Sequence, residues 1–166
     1  AVESAGRYVH APGTVLTSAG GPFRVFTPFH RAWQAQAWAP WPAPSVTRPS
    51  AVSGDAGEGV PAAAAPLMAP GEGAALERLE AFLERVERYP EERDRPDLDT
   101  TSRLSADLKF GTIGPRLVVR RVEGPGAGRE AFLRQMAWRE FYAHLLAAFP
   151  ETGRRAMRPE YDRVLW

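Results

Sequence analysis

The sequence predicts a chain that is mainly α-helical in its second half, preceded by the end of an α/β domain and a linker rich in Pro, Ala and Gly. Three observations support this fold class. Residues 21–33 combine a β-prone run with a helix start, residues 39–73 lack apolar periodicity, and helical spacing of apolar residues begins at residue 74. We therefore divide the 166 residues into segments 1–38, 39–73 and 74–166.

The first element, in GPFRVFTPFHRAW, is predicted to be a short strand that passes directly into a helix. The run from Phe23 to Phe26 is β-prone. Thr27 is a good N-cap residue, and Pro28 occupies the first helical position, where its missing N–H is harmless. The residues before it are too few to complete a sheet around such a strand. This segment is therefore expected to be the end of a larger α/β domain.

The second element is a linker that runs from APWPAPSVTRPS to GVPAAAAPLMAPGEG. Closely spaced prolines favour extended backbone, and the segment has almost no periodic apolar pattern. A long Pro-rich connection between an α/β-like end and a helical start is typical of a domain boundary.

Helices account for the remaining elements. In ALERLEAFLERVERY the apolar residues are three and four positions apart: Leu76, Leu79, Phe82, Leu83, Val86 and Tyr89. A short helix in SRLSADLKF is closed by Gly111, and another begins at Pro115. A long helix is predicted from about Arg129 to Phe149, ending at Pro150. The tail RPEYDRVLW looks like an interrupted continuation of the helical pattern.

Composition and motifs exclude several classes of site. Cysteine is absent, which excludes disulfides and thiolate metal sites. His10, His30 and His144 belong to different elements, so no metal site is predicted. The sequence has no G-x-S-x-G, P-loop or G-x-G-x-x-G motif. No apolar run approaches roughly 18 residues and no leader opens the chain, so we expect a soluble cytoplasmic protein.

Charge is unevenly distributed along the chain. The formal net charge is +1, but residues 101–166 carry 12 basic and 7 acidic side chains, a local excess of +5. Such an excess suits a surface that binds a polyanion. An ordinary solvated helical surface, the more common cause of such a pattern, explains it too.

The long helix has two predicted faces. One is polar and aromatic: Gln135, Trp138, Arg139 and Tyr142. The other is apolar and faces the core: Leu133, Ala137, Phe141, Leu145 and Ala148. On the first face an indole offers a stacking surface for a base or flavin, a guanidinium binds phosphate, and an amide reads a base edge. The alternative is a packed Trp with a satisfied N–H beside a surface Arg–Glu pair.

The stretch TTSRLSADLKFG contains more hydroxyl groups than one helix cap requires. Thr101 and Ser102 are natural cap residues, and Ser105 follows on the same side. Hydroxyls and Arg103 beside the free N–H groups of a helix start suit a phosphate or pyrophosphate. Ordinary capping is the alternative, and the local pattern slightly favours it.

Taken together, these stretches resemble the DNA photolyase and cryptochrome family. FRVFTPFHRAW is similar to the segment that ends the family's N-terminal, Rossmann-like antenna domain. TSRLSADLKFGTIGPR resembles its flavin-phosphate motif, and FLRQMAWREFYAHLLAAFP resembles its substrate-facing helix. The order and separation of the three also fit. The resemblance implies that the third segment is the start of a helical FAD-binding domain, and that the chain is an internal fragment.

The resemblance also implies roles for individual residues. Contacts with FAD are implied for Tyr89, Thr101, Ser102, Arg103, Leu104, Ser105 and Phe132. Contacts with the lesion or the DNA backbone are implied for Arg93, Gln135, Trp138, Arg139 and Tyr142. Within this second set, Trp138 stacks on a flipped-out pyrimidine dimer and Arg93 lies near the backbone. Gln135 replaces the Glu of many dimer-specific photolyases, which leaves the lesion type open.

The implied activity belongs to the full-length parent, and no catalytic residue is assigned within this chain. Reduced, photoexcited FAD gives an electron to a cyclobutane pyrimidine dimer that has been turned out of the duplex. The resemblance also allows a second antenna chromophore, folate or deazaflavin, in the parent. The parent is expected to be a monomer whose partner is damaged DNA. Neither a membrane nor a metal ion is expected to take part. By itself this chain is expected to hold FAD poorly and to be inactive.

The sequence leaves three alternatives open. The first is a cryptochrome, a blue-light sensor on the same scaffold, and the second is a (6-4) photolyase. The third, a flavin-free helical module that binds nucleic acid, explains the charge and the Trp face. It leaves Tyr89 and the TSRLS run unexplained.

Overall fold

The described part of the chain comprises residues 6–39 and 68–164 of a computed structural model. Its α-helices are α1 (Phe26–Ala35), α2 (Glu72–Leu83), α3 (Tyr89–Glu92), α4 (Ser105–Phe110), α5 (Pro115–Val122) and α6 (Ala127–Ala148). Short 3-10 helices cover Val86–Arg88, Pro150–Gly153 and Pro159–Arg163. These two ranges contain no β-strand, only an isolated bridge between Leu16 and Pro22. The prediction of a mainly helical second half is confirmed.

The prediction of a strand directly before α1 was wrong. Phe26 is already helical, and Val25, with extended backbone, is the N-cap residue in place of Thr27. No partner strand stands beside this run in the described residues, so its β-propensity has no ladder to join. Helical geometry instead buries Phe26, Phe29 and Trp33 on one face of α1.

The helical segment that begins with α2 is interrupted where the apolar pattern predicted continuity. α2 starts at Glu72, two residues before the predicted onset, and ends at Leu83. A 3-10 turn over Val86–Arg88 then leads into α3. Pro90 accounts for part of the break, because it has no N–H to donate to the Val86 carbonyl and its ring would clash with that carbonyl in a continuous α-helix. It lies in the first turn of α3 instead, where a missing N–H is tolerated. The turn still buries Val86 and Tyr89 beside Phe82.

The helix α6 lies at the centre of the fold and packs against α1, α3, α5 and the 3-10 turn before α3. Gly128 permits one close approach, since a Cβ there would lie 1.9 Å from the carbonyl oxygen of Val86. The buried side chains of segment 6–39 and of the helices form one hydrophobic cluster. The domain boundaries at residues 38 and 73 stay a prediction, and most of the predicted linker lies outside the described residues.

The predicted core face of α6 is correct only in part. Its buried residues are Gly128, Phe132, Met136, Ala137, Glu140, Phe141 and His144. Leu133 and Leu145 are half-buried, and Ala148 is exposed. The reason is that α6 packs against several elements: Phe141 contacts Phe26 of α1 and Phe132 contacts Tyr89 of α3, so the buried sector is wider than one stripe. None of the helices in the described ranges is long and apolar enough to cross a membrane.

Candidate functional site

A cavity of about 460 Å³ lies between α6, the start of α3 and the loop that leads into α4. Its lining residues are Tyr89, Thr101, Ser102, Arg103, Ser105, Leu108, Phe132, Gln135, Met136 and Arg139. Residues predicted for flavin binding and residues predicted for lesion binding thus meet in one cavity. The predicted residues Leu104, Arg93, Trp138 and Tyr142 do not line it.

The loop before α4 adopts an unusual backbone conformation at Arg103. Its φ of 53° lies in the left-handed region, which residues other than Gly rarely adopt. The side chain pairs with Asp99, with 2.6 Å between Nε and Oδ1, and both side chains are largely exposed. A strained residue in the wall of a cavity is typical of functional sites.

Neither Thr101 nor Ser102 caps α4, contrary to the capping prediction. Leu104 is the N-cap residue and the helix begins at Ser105, without a side-chain cap bond. The Ser102 hydroxyl instead accepts a hydrogen bond of 3.4 Å from the Leu104 N–H. Among the described residues, the hydroxyls of Thr101 and Ser105 have no hydrogen-bond partner, and both residues line the cavity. Hydroxyl groups without a protein partner, on residues that line a cavity, are suited to hydrogen-bond anion oxygens.

The helix α4 is held in place by an ion pair that sequence reasoning missed. Arg78 of α2 donates to both carboxylate oxygens of Asp107, at 3.1 Å and 2.7 Å, and the Thr112 hydroxyl donates at 2.8 Å. Burial raises the pKa of Asp107, but the hydrogen bonds from Arg78 and Thr112 outweigh it and leave the pKa below its ordinary value. Gly111, with φ of 79°, ends the helix as predicted.

The aromatic wall of the cavity is formed by Tyr89 and Phe132. Their rings meet edge to face with centroids 5.5 Å apart, and Phe82 packs behind both. Burial raises the pKa of the Tyr89 phenol, so it stays protonated at neutral pH. Leu104, also predicted for the flavin site, is 1 % exposed and belongs to the core below this wall.

Arg139 lines the cavity and also joins separate segments of the chain. Its guanidinium donates to the carbonyl oxygen of Arg7 at 2.8 Å and to that of Leu108 at 3.3 Å. It also lies 5.0 Å from the ring centroid of Tyr8. The surface Arg–Glu pair considered from the sequence is therefore not formed. Arg93, at the C-terminal end of α3, lies outside the cavity and pairs with Asp94.

Trp138 stands beside the cavity in an aromatic stack. One of its ring neighbours is Phe26 of α1, with centroids 3.7 Å apart and planes within 7°. Tyr142 lies one helical turn further along α6, with its ring centroid 5.6 Å from that of Trp138 and its side chain 62 % exposed. Trp138 itself is half-buried. An exposed Tyr beside a half-buried Trp is a surface suited to a flat partner.

The most buried polar group near this site, Glu140, was not predicted. Its carboxylate accepts hydrogen bonds from the backbone N–H groups of Val9 and His10 and from the Trp33 indole. Burial raises the pKa of Glu140, although these hydrogen bonds act in the opposite direction. The available signal was a carboxylate placed between Ala137 and Phe141 on the core side of α6.

One turn later, His144 is buried as well. Its Nδ1 accepts a hydrogen bond of 3.1 Å from the Gly13 N–H, and burial lowers its pKa to about 4. The sequence left open whether this histidine lies on the surface or is buried and satisfied. Over residues 6–39 and 68–164, no group of three or more His, Asp or Glu side chains is arranged to hold a metal ion.

The chain is similar in sequence to known DNA photolyases. Residues 1–45 match the family model described as DNA photolyase. A deoxyribodipyrimidine photo-lyase of Thermus thermophilus is 38% identical over 146 residues, which cover 87% of this chain and 34% of the relative. That of Halobacterium salinarum is 38% identical over 160 residues, covering 82% of this chain and 33% of the relative.

The fold is also similar to that of a solved photolyase structure. The crystal structure of a bacterial class III photolyase from Agrobacterium tumefaciens superposes with a TM-score of 0.76 at 29% identity. The match covers 97% of this chain and 37% of that one. The chain thus spans about a third of the length of the curated relatives it matches. From the family model, the relatives and the shared fold, we conclude that this chain belongs to the DNA photolyase family.

Proposed function

We propose that this chain is part of a light-driven, FAD-dependent DNA repair enzyme that splits cyclobutane pyrimidine dimers. One observation carries the proposal: a single cavity joins the hydroxyl-rich loop at Thr101–Ser105 to Gln135 and Arg139 of α6. A repair enzyme of this kind needs cofactor and lesion side by side. The relatives named above are photo-lyases, which supports the same reaction class.

The residues present fit a flavin dinucleotide. The hydroxyls of Thr101, Ser102 and Ser105 and the guanidinium of Arg103 are groups that bind a diphosphate. The exposed pair between Arg103 and Asp99 is weak enough for a phosphate to replace. Tyr89 and Phe132 supply an aromatic wall, and about 460 Å³ lies within the range of ligand pockets. When bound, reduced and photoexcited FAD would supply the electron that opens the dimer and would take it back after the ring has split.

The chain's own residues orient the lesion and attract the DNA. The amide of Gln135 both donates and accepts hydrogen bonds, which suits the edge of a pyrimidine. Trp138 offers a stacking surface beside the cavity, with Tyr142 next to it. The local excess of +5 over residues 101–166 attracts the DNA backbone, and Arg93 is proposed to contribute to that attraction. Arg139 holds the α6 side of the cavity to α4 through the Leu108 carbonyl.

The proposal also covers the state, location and second cofactor of the whole protein. The protein is proposed to be a cytoplasmic monomer that acts on damaged DNA. A second antenna chromophore, folate or deazaflavin, is proposed to bind elsewhere in the protein. The antenna chromophore is not needed for the chemistry at the cavity described here.

The test uses the complete product of the gene that encodes this chain, purified in the dark. We expect flavin absorbance, and loss of dimers when the reduced protein is illuminated with a dimer-containing oligonucleotide. A dark sample is the control, and a second oligonucleotide with a (6-4) lesion tests the alternative specificity. A product without flavin would refute the proposal. Binding of damaged DNA without light-dependent repair would identify a cryptochrome-type photoreceptor instead.

A further inference from the structure

We infer that Phe26 is a positioning residue for lesion recognition. It fixes the ring plane of Trp138, so α1 completes a lesion-binding surface that otherwise belongs to α6. This inference rests on the proposed function, because it assumes that Trp138 stacks on the lesion. It goes further by assigning a role to an N-terminal residue that lies outside the cavity.

The contact between these two rings is close and parallel. Their centroids are 3.7 Å apart and their planes differ by 7°, while Phe26 is only 5 % exposed. One face of the Trp138 indole is therefore covered by Phe26. A flat partner that stacks on Trp138 must use the indole surface that Phe26 leaves uncovered, next to the exposed Tyr142 ring at 5.6 Å, and the Phe26 ring sets the plane of that surface.

Phe26 is itself held by its surroundings. The His30 ring is stacked on it at 5.4 Å and 15°, and the Phe141 ring meets it edge on at 5.8 Å. The guanidinium of Arg134 lies 5.2 Å from the centroid of the same ring. A ring with neighbours on its faces and edge cannot rotate freely, so it provides a rigid base for the indole.

The helix α1 that carries Phe26 is also anchored at its other end. Seven residues later, the Trp33 indole donates to the Glu140 carboxylate at 2.7 Å, and the Trp33 carbonyl oxygen lies 3.1 Å from His10 Nε2. The helix is thus attached to α6 near both Trp138 and Glu140. This arrangement fixes Phe26 relative to Trp138 before any partner binds.

Preorganisation of this kind has a measurable effect on binding. A Trp138 side chain without its stacking partner gains rotamers, which must be lost again when the lesion binds. We expect Phe26→Leu to lower the affinity ratio between dimer-containing and intact DNA by about 2- to 10-fold. Affinity for intact DNA, which does not use the stacking surface, should stay unchanged.

The experiment compares four variants of the complete gene product by fluorescence anisotropy with dimer-containing and intact oligonucleotides. Phe26→Leu removes the ring. Phe26→Tyr keeps the ring and should have the same affinity ratio as the parent. Phe29→Leu is the matched control: it is the same substitution on the same helix, at a side chain 0 % exposed whose ring contacts Phe141 and His144. Trp138→Ala tests the proposed function itself.

The outcomes separate the two claims. A ratio lowered by Trp138→Ala and Phe26→Leu, but not by Phe29→Leu or Phe26→Tyr, supports the inference. If Trp138→Ala lowers the ratio and Phe26→Leu leaves it unchanged, or Phe29→Leu lowers it equally, the positioning role is wrong while the lesion site stands. An unchanged ratio for Trp138→Ala overturns both. Phe26→Met gives the same test if the Leu variant folds poorly, because Met adapts to irregular space.

Discussion

The indole N–H of Trp33 donates a 2.7 Å hydrogen bond to the carboxylate of Glu140, which joins α1 to the centre of α6. The same carboxylate accepts the backbone N–H groups of Val9 and His10. One fully buried side chain therefore holds three points of segment 6–39 against the helical part of the protein.

Replacing Glu140 with Gln should lower the free energy of unfolding by about 2 to 4 kcal/mol. The amide places an NH₂ group where the carboxylate accepts, so at least one buried donor loses its partner. Urea unfolding followed by circular dichroism measures the loss. Glu80→Gln is the matched control, because the Glu80 side chain is 51% exposed in its ion pair with Arg121. A change as small as that of the control would show that Glu140 is not a structural anchor.

Acidification should weaken the same interface through His144. Its pKa is about 4 in the folded protein, against 6.5 as the ordinary value, so the unfolded chain binds the proton more tightly. This stabilising contribution is complete above pH 6.5 and is lost as the pH falls toward 4. The loss is on the order of 2 to 3 kcal/mol.

Two other groups titrate beside His144. The pKa of His10 is lowered by burial and acts in the same direction. The pKa of Glu140 is raised by burial, so its protonation on acidification offsets part of the loss. Urea midpoints at pH 7 and pH 5 should therefore differ less in His144→Asn, which removes the titrating ring and keeps an acceptor for Gly13. Equal pH dependence in variant and parent would contradict this assignment.

Breaking the ion pair between Arg78 and Asp107 should loosen α4, which carries the cavity residues Ser105 and Leu108, although the pair itself does not line the cavity. Asp107→Asn removes the charge from a side chain only 5% exposed, and we expect a loss of about 2 to 4 kcal/mol together with lower flavin retention. Asp97→Asn is the control, since Asp97 and Arg95 form a similar pair with side chains 58% and 59% exposed. The control should leave the unfolding free energy nearly unchanged, because an exposed ion pair contributes little to stability. Full flavin retention in Asp107→Asn would show that α4 keeps its position without the pair.

Arg103→Gly separates stability from binding. Glycine adopts a φ of 53° without strain, so the unfolding free energy of the flavin-free protein should stay the same or rise by about 1 kcal/mol. Flavin retention after gel filtration should fall, because one cation facing the diphosphate is gone. Arg103→Lys keeps the charge and should retain more flavin than the Gly variant. If both variants retain flavin like the parent, Arg103 has no part in the site.

Local signals were sufficient for several elements. Pro115 at the start of α5 and Gly111 after α4 were located correctly, because backbone geometry at these residues depends on few neighbours. The group around Tyr89, Thr101 and Gln135 was assembled from motifs and their spacing, and the structure places these residues around one cavity.

Other features depend on partners that a linear pattern does not reveal. The run at Phe23–Phe26 leads into a helix, because within residues 6–39 and 68–164 its neighbour is α6 and not a strand. Glu140 and Asp107 are charged residues on helices, and a helical pattern would place them at the surface. They are buried because N–H groups and a guanidinium from distant segments satisfy them.

The sequence by itself determined the helical character of the second half, the ends of its short helices and the family to which the motifs belong. These properties follow from side-chain periodicity and from the backbone limits of Pro and Gly, which act over a few residues. Only the tertiary structure decided which face of α6 is buried, that Phe26 stacks on Trp138, and that Glu140 joins two segments. These contacts connect residues more than a hundred positions apart, and their energy comes from burial and hydrogen bonds that exist only after the chain has folded.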